Sequence, residues 1–223
     1  MSETTLSVAA GTDDGYELSD GSVTLGSTSA NCNASQPIIG MIIRDVPAGQ
    51  GDDIDEARVN VYCISSANDT PNLTIRAERQ PANLAATTNN LSSRTKTAAG
   101  VAWNQNLASS GAQYHATPDI AEVIQEVVDA PGWTAGDDIA IFFIDNGAGG
   151  LLRISMRDSG ATQEPELYLA WTEASSELTY AWPDDYWPDA YWPEYWPDYG
   201  TSEPPAGSII PLVMHHLEQQ GIS

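Results

Sequence analysis

Three acidic doublets are the residues in this chain whose types and spacing first suggest chemistry. Gly51-Asp52-Asp53-Ile54-Asp55 and Gly136-Asp137-Asp138-Ile139 each lead into an apolar run, and Asp13-Asp14-Gly15 resembles them. Carboxylates converging at the edge of a sandwich supply the oxygen-rich shell that Ca2+ prefers. Asp52, Asp53, Asp55, Asp137 and Asp138 are therefore the metal candidates, for a structural Ca2+. None lies in a loop with a full ligand set. Turn chemistry, in which Asp and Gly set the entrance to a strand, gives the same pattern. The expectation is no cofactor.

Catalytic constellations are missing. His115 stands alone in a Gly/Ser/Thr-rich stretch, and His215-His216 lies near the C-terminus, neither with the spaced Cys, His or acid partners of a zinc site. No Gly-x-Ser-x-Gly, phosphate loop or dinucleotide fingerprint appears. With so many acids, no single carboxylate pair stands out for glycoside hydrolysis. The chain reads as a non-enzyme.

The most informative stretch is AWPDDYWPDAYWPEYWPDYG, with Trp-Pro at 182, 187, 192 and 196. Proline fixes φ, lacks an amide donor and pushes the preceding residue toward extended backbone. At this spacing it forbids a regular helix or an interior strand, so an extended or serially turning arm is expected. The arm candidates are Trp182, Tyr186, Trp187, Tyr191, Trp192, Tyr195, Trp196 and Tyr199, with Ile210 and Leu212 beyond them. The rings could remove on the order of 1,500 Å² from water, about a standard protein–protein interface. Such a surface must dock. Its own sandwich, neighbouring subunits or a partner shell, and a sugar strip are the three destinations, and neighbouring subunits are the leading one.

Charge narrows the partners. Eight Lys and Arg stand against 31 Asp and Glu, a formal net charge of −23. Phosphate binders need clustered cations to displace counterions, so nucleic acid is excluded as a direct partner and anionic lipid is repelled. The N-terminal MSETTLSVAA carries no basic region followed by an apolar one, so no signal peptide is expected. No apolar run is long enough for membrane insertion. Without an export signal, Cys32 and Cys63 read as buried free thiols rather than a pair. Asn-x-Ser/Thr sequons begin at Asn33, Asn68, Asn72 and Asn90.

Strands and turns must position all of this. Ala57, Val59, Val61 and Cys63 alternate with Arg58, Asn60, Tyr62 and Ile64, the period of a half-buried strand. Leu73, Ile75 and Ala77 repeat the pattern, and further runs span Ile38–Ile43, Ile139–Ile144, Leu151–Met156 and Glu166–Trp171. One helix interrupts them. Thr117-Pro118-Asp119 offers a cap, Ile120, Val123, Ile124, Val127 and Val128 share a face, and Pro131-Gly132 stops it. The fold class expected is an all-β, jelly-roll-like antiparallel sandwich with one amphipathic helix at about 118–130. The domains are a sandwich over 1–172, an acidic Trp-Pro arm over 173–206 and a short amphipathic segment over 207–223.

The elements Ile54-Asp55-Glu56-Ala57-Arg58-Val59, Leu91 to Thr97 with Val101-Ala102-Trp103, Pro118-Asp119-Ile120 through Pro131-Gly132-Trp133, and Pro165-Glu166-Leu167-Tyr168-Leu169 carry a resemblance. Together they resemble the jelly-roll module, akin to carbohydrate-binding modules, of bacterial secreted proteins and tailed-phage structural proteins. The resemblance implies that Trp103, Trp133 and Trp171 are core residues. The tail is similar to those of small tailed-phage proteins with Trp-Pro repeats that end in a helix such as Ile210-Pro211-Leu212. These likenesses imply a virion structural protein, a capsid decoration, fibre or tail component. It would assemble in the host cytoplasm, face outward, and anchor through its arm to capsid or tail proteins and copies of itself. The alternative is a carbohydrate-binding module that takes surface glycans.

Overall fold

The computed structural model describes residues 1–64, 69–107, 112–147, 149–160 and 162–174. The arm candidates from Trp182 to Leu212 lie outside the described residues, as do His215, His216 and the sequon at Asn68. The described residues fall within one compact unit, Met1–Ser176.

Twelve strands and one α-helix are described. In order they are β1 (Ser2–Ser7), β2 (Asp14–Glu17), β3 (Val23–Leu25), β4 (Ser29–Cys32), β5 (Ile38–Ile43), β6 (Asp53–Cys63) and β7 (Leu73–Arg79). Then follow β8 (Val101–Trp103), β9 (Gln113–Ala116), α1 (Ala121–Val128), β10 (Ile139–Asp145), β11 (Leu152–Ser155) and β12 (Glu166–Thr172). The first sheet runs β1-β12-β6-β11-β4, with β9 paired to β6; the second runs β3-β2-β5-β10-β7-β8. Every pairing is antiparallel. The chain is an all-β sandwich.

Alternation explains the core. Ala57, Val59, Val61 and Cys63 of β6 point inward with Leu167 and Leu169 of β12, and meet Ile39, Met41, Ile43, Ile141 and Phe143 of the second sheet. Each fully buried aliphatic side chain contributes about 1.5–3 kcal/mol relative to exposure. Trp103, Trp133 and Trp171 are buried at 0, 1 and 7 % exposure, as expected for core residues. The Trp133 indole N–H donates to the Ala48 carbonyl (2.9 Å), and Trp103 stacks edge-on against Phe143 with centroids 5.6 Å apart.

β5 departs from alternation because both its faces are covered. All six of its residues are buried. Ile38 and Ile42 pack outward with Ala140 and Phe142 of β10 beneath Leu84 and Leu91. The cover is close: a Cβ on Gly40 would stand 3.2 Å from Leu91 Cδ2 and from Phe142 Cε1.

The helix is shorter at its start than its sequence pattern predicts. Its N-cap is Ile120, whose own side chain makes no cap bond, and the Ala121 N–H donates to Asp119 Oδ1 (3.0 Å). Thr117 is spent on the strand instead. The Val59 N–H donates to Thr117 Oγ1 (3.0 Å) and the Ala57 N–H to Asp119 Oδ1 (3.0 Å). Further along, the Ile54 N–H donates to Gln125 Oε1 (2.7 Å). Beyond the reach of β9, residues 117–125 thus satisfy the β6 edge in place of a strand. The apolar helix face, Val123, Ile124, Val127 and Val128, joins the core as expected.

Cys32 and Cys63 are free and buried. They pair with Leu152 and Ile154 of β11, respectively. Among the described residues, no helix is long and apolar enough to cross a membrane.

Candidate functional site

The acidic doublets are held in turns and strand entrances. Asp52 accepts the N–H groups of Gly49 (2.7 Å) and Ala174 (2.8 Å), and Asp55 accepts the Thr172 hydroxyl (2.8 Å). Asp53 is exposed at the start of β6. Asp137 accepts from the Thr134 N–H (2.8 Å) and from Gln80 (2.7 Å); the Thr134 bond, first among the causes, holds its carboxyl below the usual range. Asp138 pairs with Arg44 (2.6 Å), and Asp13 pairs with the same guanidinium. Among the described residues, no group of three His, Cys, Asp or Glu side chains converges to hold a metal ion. His115 lies on β9 beside Gln113 (3.2 Å).

The two outer faces of the sandwich differ. That of the second sheet is closed by residues 80–100. This cover is pinned by Glu17, whose carboxylate accepts the N–H groups of Leu91 (2.9 Å) and Ser92 (3.0 Å), and by the Arg94–Glu78 pair (2.8 Å). Lys96 donates to the carbonyls of Leu91 (2.7 Å) and Arg94 (3.1 Å) and sits 4.8 Å from the Phe142 ring centroid. Burial holds its ammonium below the usual lysine range.

The first sheet turns a different face to solvent. On β6 the outward residues include Arg58, Asn60 and Tyr62, each half-buried. Tyr62 lies opposite Tyr114 of β9, with rings 5.3 Å apart and planes at 81°. Tyr168 of β12 lies opposite Arg58 and, on its other side, Thr5 of β1. The pairing puts all three tyrosines on one face, because Arg58 and Tyr62 share the even positions of β6.

Each tyrosine is fixed by its hydroxyl. Tyr62 donates to the Ala112 carbonyl (3.2 Å), and Tyr114 to the carbonyls of Thr162 (3.2 Å) and Glu164 (3.2 Å). Tyr168 donates to Glu3 Oε2 (3.0 Å), the chief reason its phenol is held above the usual range. For Tyr114 partial burial is the main cause of an upward shift, reinforced by Glu166 and Glu164. Among the described residues, Tyr114 (38 %) and Met1 are the exposed large hydrophobics. Between the aromatic stations lies Asn60, opposite Glu166, and beside Tyr168 lies Arg58, which pairs with Glu56. The face thus offers flat rings held at set positions, amide and guanidinium donors, and carboxylate acceptors. That combination suits a ligand with alternating apolar faces and hydroxyl edges.

No protein-family model matches the chain. No curated protein matches it in sequence either. Among solved structures it is similar to a carbohydrate-binding module specific for non-crystalline cellulose, at 10 % identity and a TM-score of 0.36, over 73 % of this chain and 89 % of that one. So distant a likeness carries no weight on ligand or site, and the sandwich stands on the strand pairing of this chain.

The tyrosine face was only partly legible in the sequence. Alternation in β6 marks Tyr62 as outward. Tyr114 sits in a strand too short and polar to announce itself, and only the pairing with β6 brings it beside Tyr62. Three of the sequons meet engaged side chains: Asn33 accepts the N–H groups of Ser35 (2.9 Å) and Gln36 (3.1 Å), Asn72 donates to the Gly147 carbonyl (2.9 Å), and Asn90 accepts the Ala85 N–H (3.1 Å).

Proposed function

We propose that the chain is a non-enzymatic binding module that takes carbohydrate on the outer face of its first sheet. The observation that carries this reading is the set Tyr62, Tyr114 and Tyr168, presented on one open sheet face with each hydroxyl anchored. Anchored rings lose little freedom when a ligand arrives, so the ordering cost of binding is low. The test is calorimetric titration of the purified chain with linear oligosaccharides. Binding that disappears in Tyr62→Ala and Tyr114→Ala supports the reading. Binding unchanged in both variants contradicts it.

A second reading comes from the sequence of the C-terminal segment. Four Trp-Pro steps among Tyr and Asp suit an arm that anchors the sandwich to neighbouring subunits of a virus particle, as a capsid decoration, fibre or tail component. The two readings are compatible, since one concerns the sandwich and the other the C-terminal segment. Deleting residues 173–223 is expected to leave a soluble sandwich that no longer incorporates into particles. Normal incorporation of the truncated chain defeats the anchoring idea.

A further inference from the structure

Resting on the carbohydrate reading above, we infer that the tyrosine face selects extended, uncharged glycans and excludes anionic ones. Length follows from the register. Tyr62 and Tyr114 mark one end, and Tyr168 stands opposite Arg58, four positions along β6. At the rise of a β-strand this separates the aromatic stations by about 13 Å along the strand. A single sugar ring stacked at one end cannot touch the other. A chain lying along β6 meets both, and passes Asn60 between them on its way to Arg58 beside Tyr168.

Charge sets the second half of the selection. The outward carboxylates of Glu3, Asp53 and Glu166 border this face, on β1, β6 and β12. Two guanidiniums oppose them. Arg58 is committed to Glu56, and Arg153 of β11 lies at the Tyr62 end and also has a partner. A uronate, sialate or sulfate laid across the face would meet a field of its own sign, on a protein of net charge −23. Neutral hydroxyls instead find carboxylate acceptors, which form strong charge-assisted hydrogen bonds. The exclusion is strongest toward Tyr168, whose hydroxyl is held by Glu3.

The experiment is calorimetric titration of the full chain with cellohexaose, xylohexaose, mannohexaose, the disaccharide of each, and hexagalacturonate as the anionic probe. At least one neutral hexasaccharide is expected to bind at least about tenfold more tightly than its disaccharide and than hexagalacturonate. Tyr168→Ala is expected to bring the hexasaccharide down to the disaccharide level, with an unchanged circular dichroism spectrum. Tyr168→Phe, which keeps the ring, is expected to retain most of the affinity. Hexagalacturonate binding as tightly as the neutral chains, or a disaccharide equalling its hexasaccharide, overturns the inference and leaves the carbohydrate reading standing. Silence from every probe overturns both.

Discussion

Tyr114 stands edge-on to Tyr62 across the β6–β9 pairing, with ring centroids 5.3 Å apart and planes at 81°. The contact joins a long central strand to a short outer one, and both hydroxyls are tied to backbone carbonyls. The pair is therefore a fixed surface, and its consequences separate binding from folding. Tyr114→Ala removes a cross-strand aromatic contact of about 0.5–1.5 kcal/mol. The melting temperature is expected to fall by a few degrees, while glycan affinity falls at least about tenfold. Differential scanning fluorimetry beside calorimetry checks the contrast.

Asp14 makes the stability of the sandwich depend on pH. Its side chain is buried at 0 % exposure; Oδ2 accepts the Arg157 N–H (2.7 Å), and Oδ1 has no partner. Burial is the main cause that pushes its pKa up to about 7, with Asp158 and Asp13 adding to it and the Arg157 N–H opposing. The folded chain then holds this proton more tightly than the unfolded one. Its contribution is fully present below about pH 4 and is lost as pH rises toward 7, on the order of a few kcal/mol. In Asp14→Asn this part of the pH slope is expected to vanish, so the variant gains on the wild type between pH 5 and pH 8. Urea denaturation across that range measures it, and an unchanged slope contradicts the assignment.

Lys96 holds the cover on the second sheet. Lys96→Met keeps the stem over Phe142 but removes the donors to the Leu91 and Arg94 carbonyls. A loss of about 1–3 kcal/mol is expected. Hydrogen exchange is expected to quicken in residues 80–100 and not in β6 or β12. Uniform quickening throughout the chain would mean that the cover is not a separate unit.

Cys32 and Cys63 are expected to be inert in the folded protein. Burial pushes the Cys63 thiol up to about 11 and raises Cys32 further. A thiol reagent is expected to label neither at neutral pH, and both once guanidinium unfolds the chain. Labelling of the native protein at either position would contradict their placement in the core.

What was legible in the sequence follows from burial. β5, β6, β7, β10, β11 and β12 carry enough apolar residues to show themselves, and Trp103, Trp133 and Trp171 could be assigned to the core. β1 to β4, β8 and β9 could not be read, because three to six residues are too few to show a period. Local capping signals misled in one place: Thr117 is a good helix cap by type, yet the open edge of β6 claims its hydroxyl. The acidic doublets look alike as sequence and differ in the fold, since Asp138 meets Arg44 whereas Asp14 is buried with one oxygen unpartnered.

The most direct test of the carbohydrate reading is a two-dimensional amide NMR titration of the labelled chain with the neutral hexasaccharide that binds best. Shift changes are expected at Arg58, Asn60, Tyr62, Tyr114 and Tyr168, with Leu84 to Lys96 unmoved. Changes confined to residues 80–100, or to residues outside the first sheet, would contradict the account.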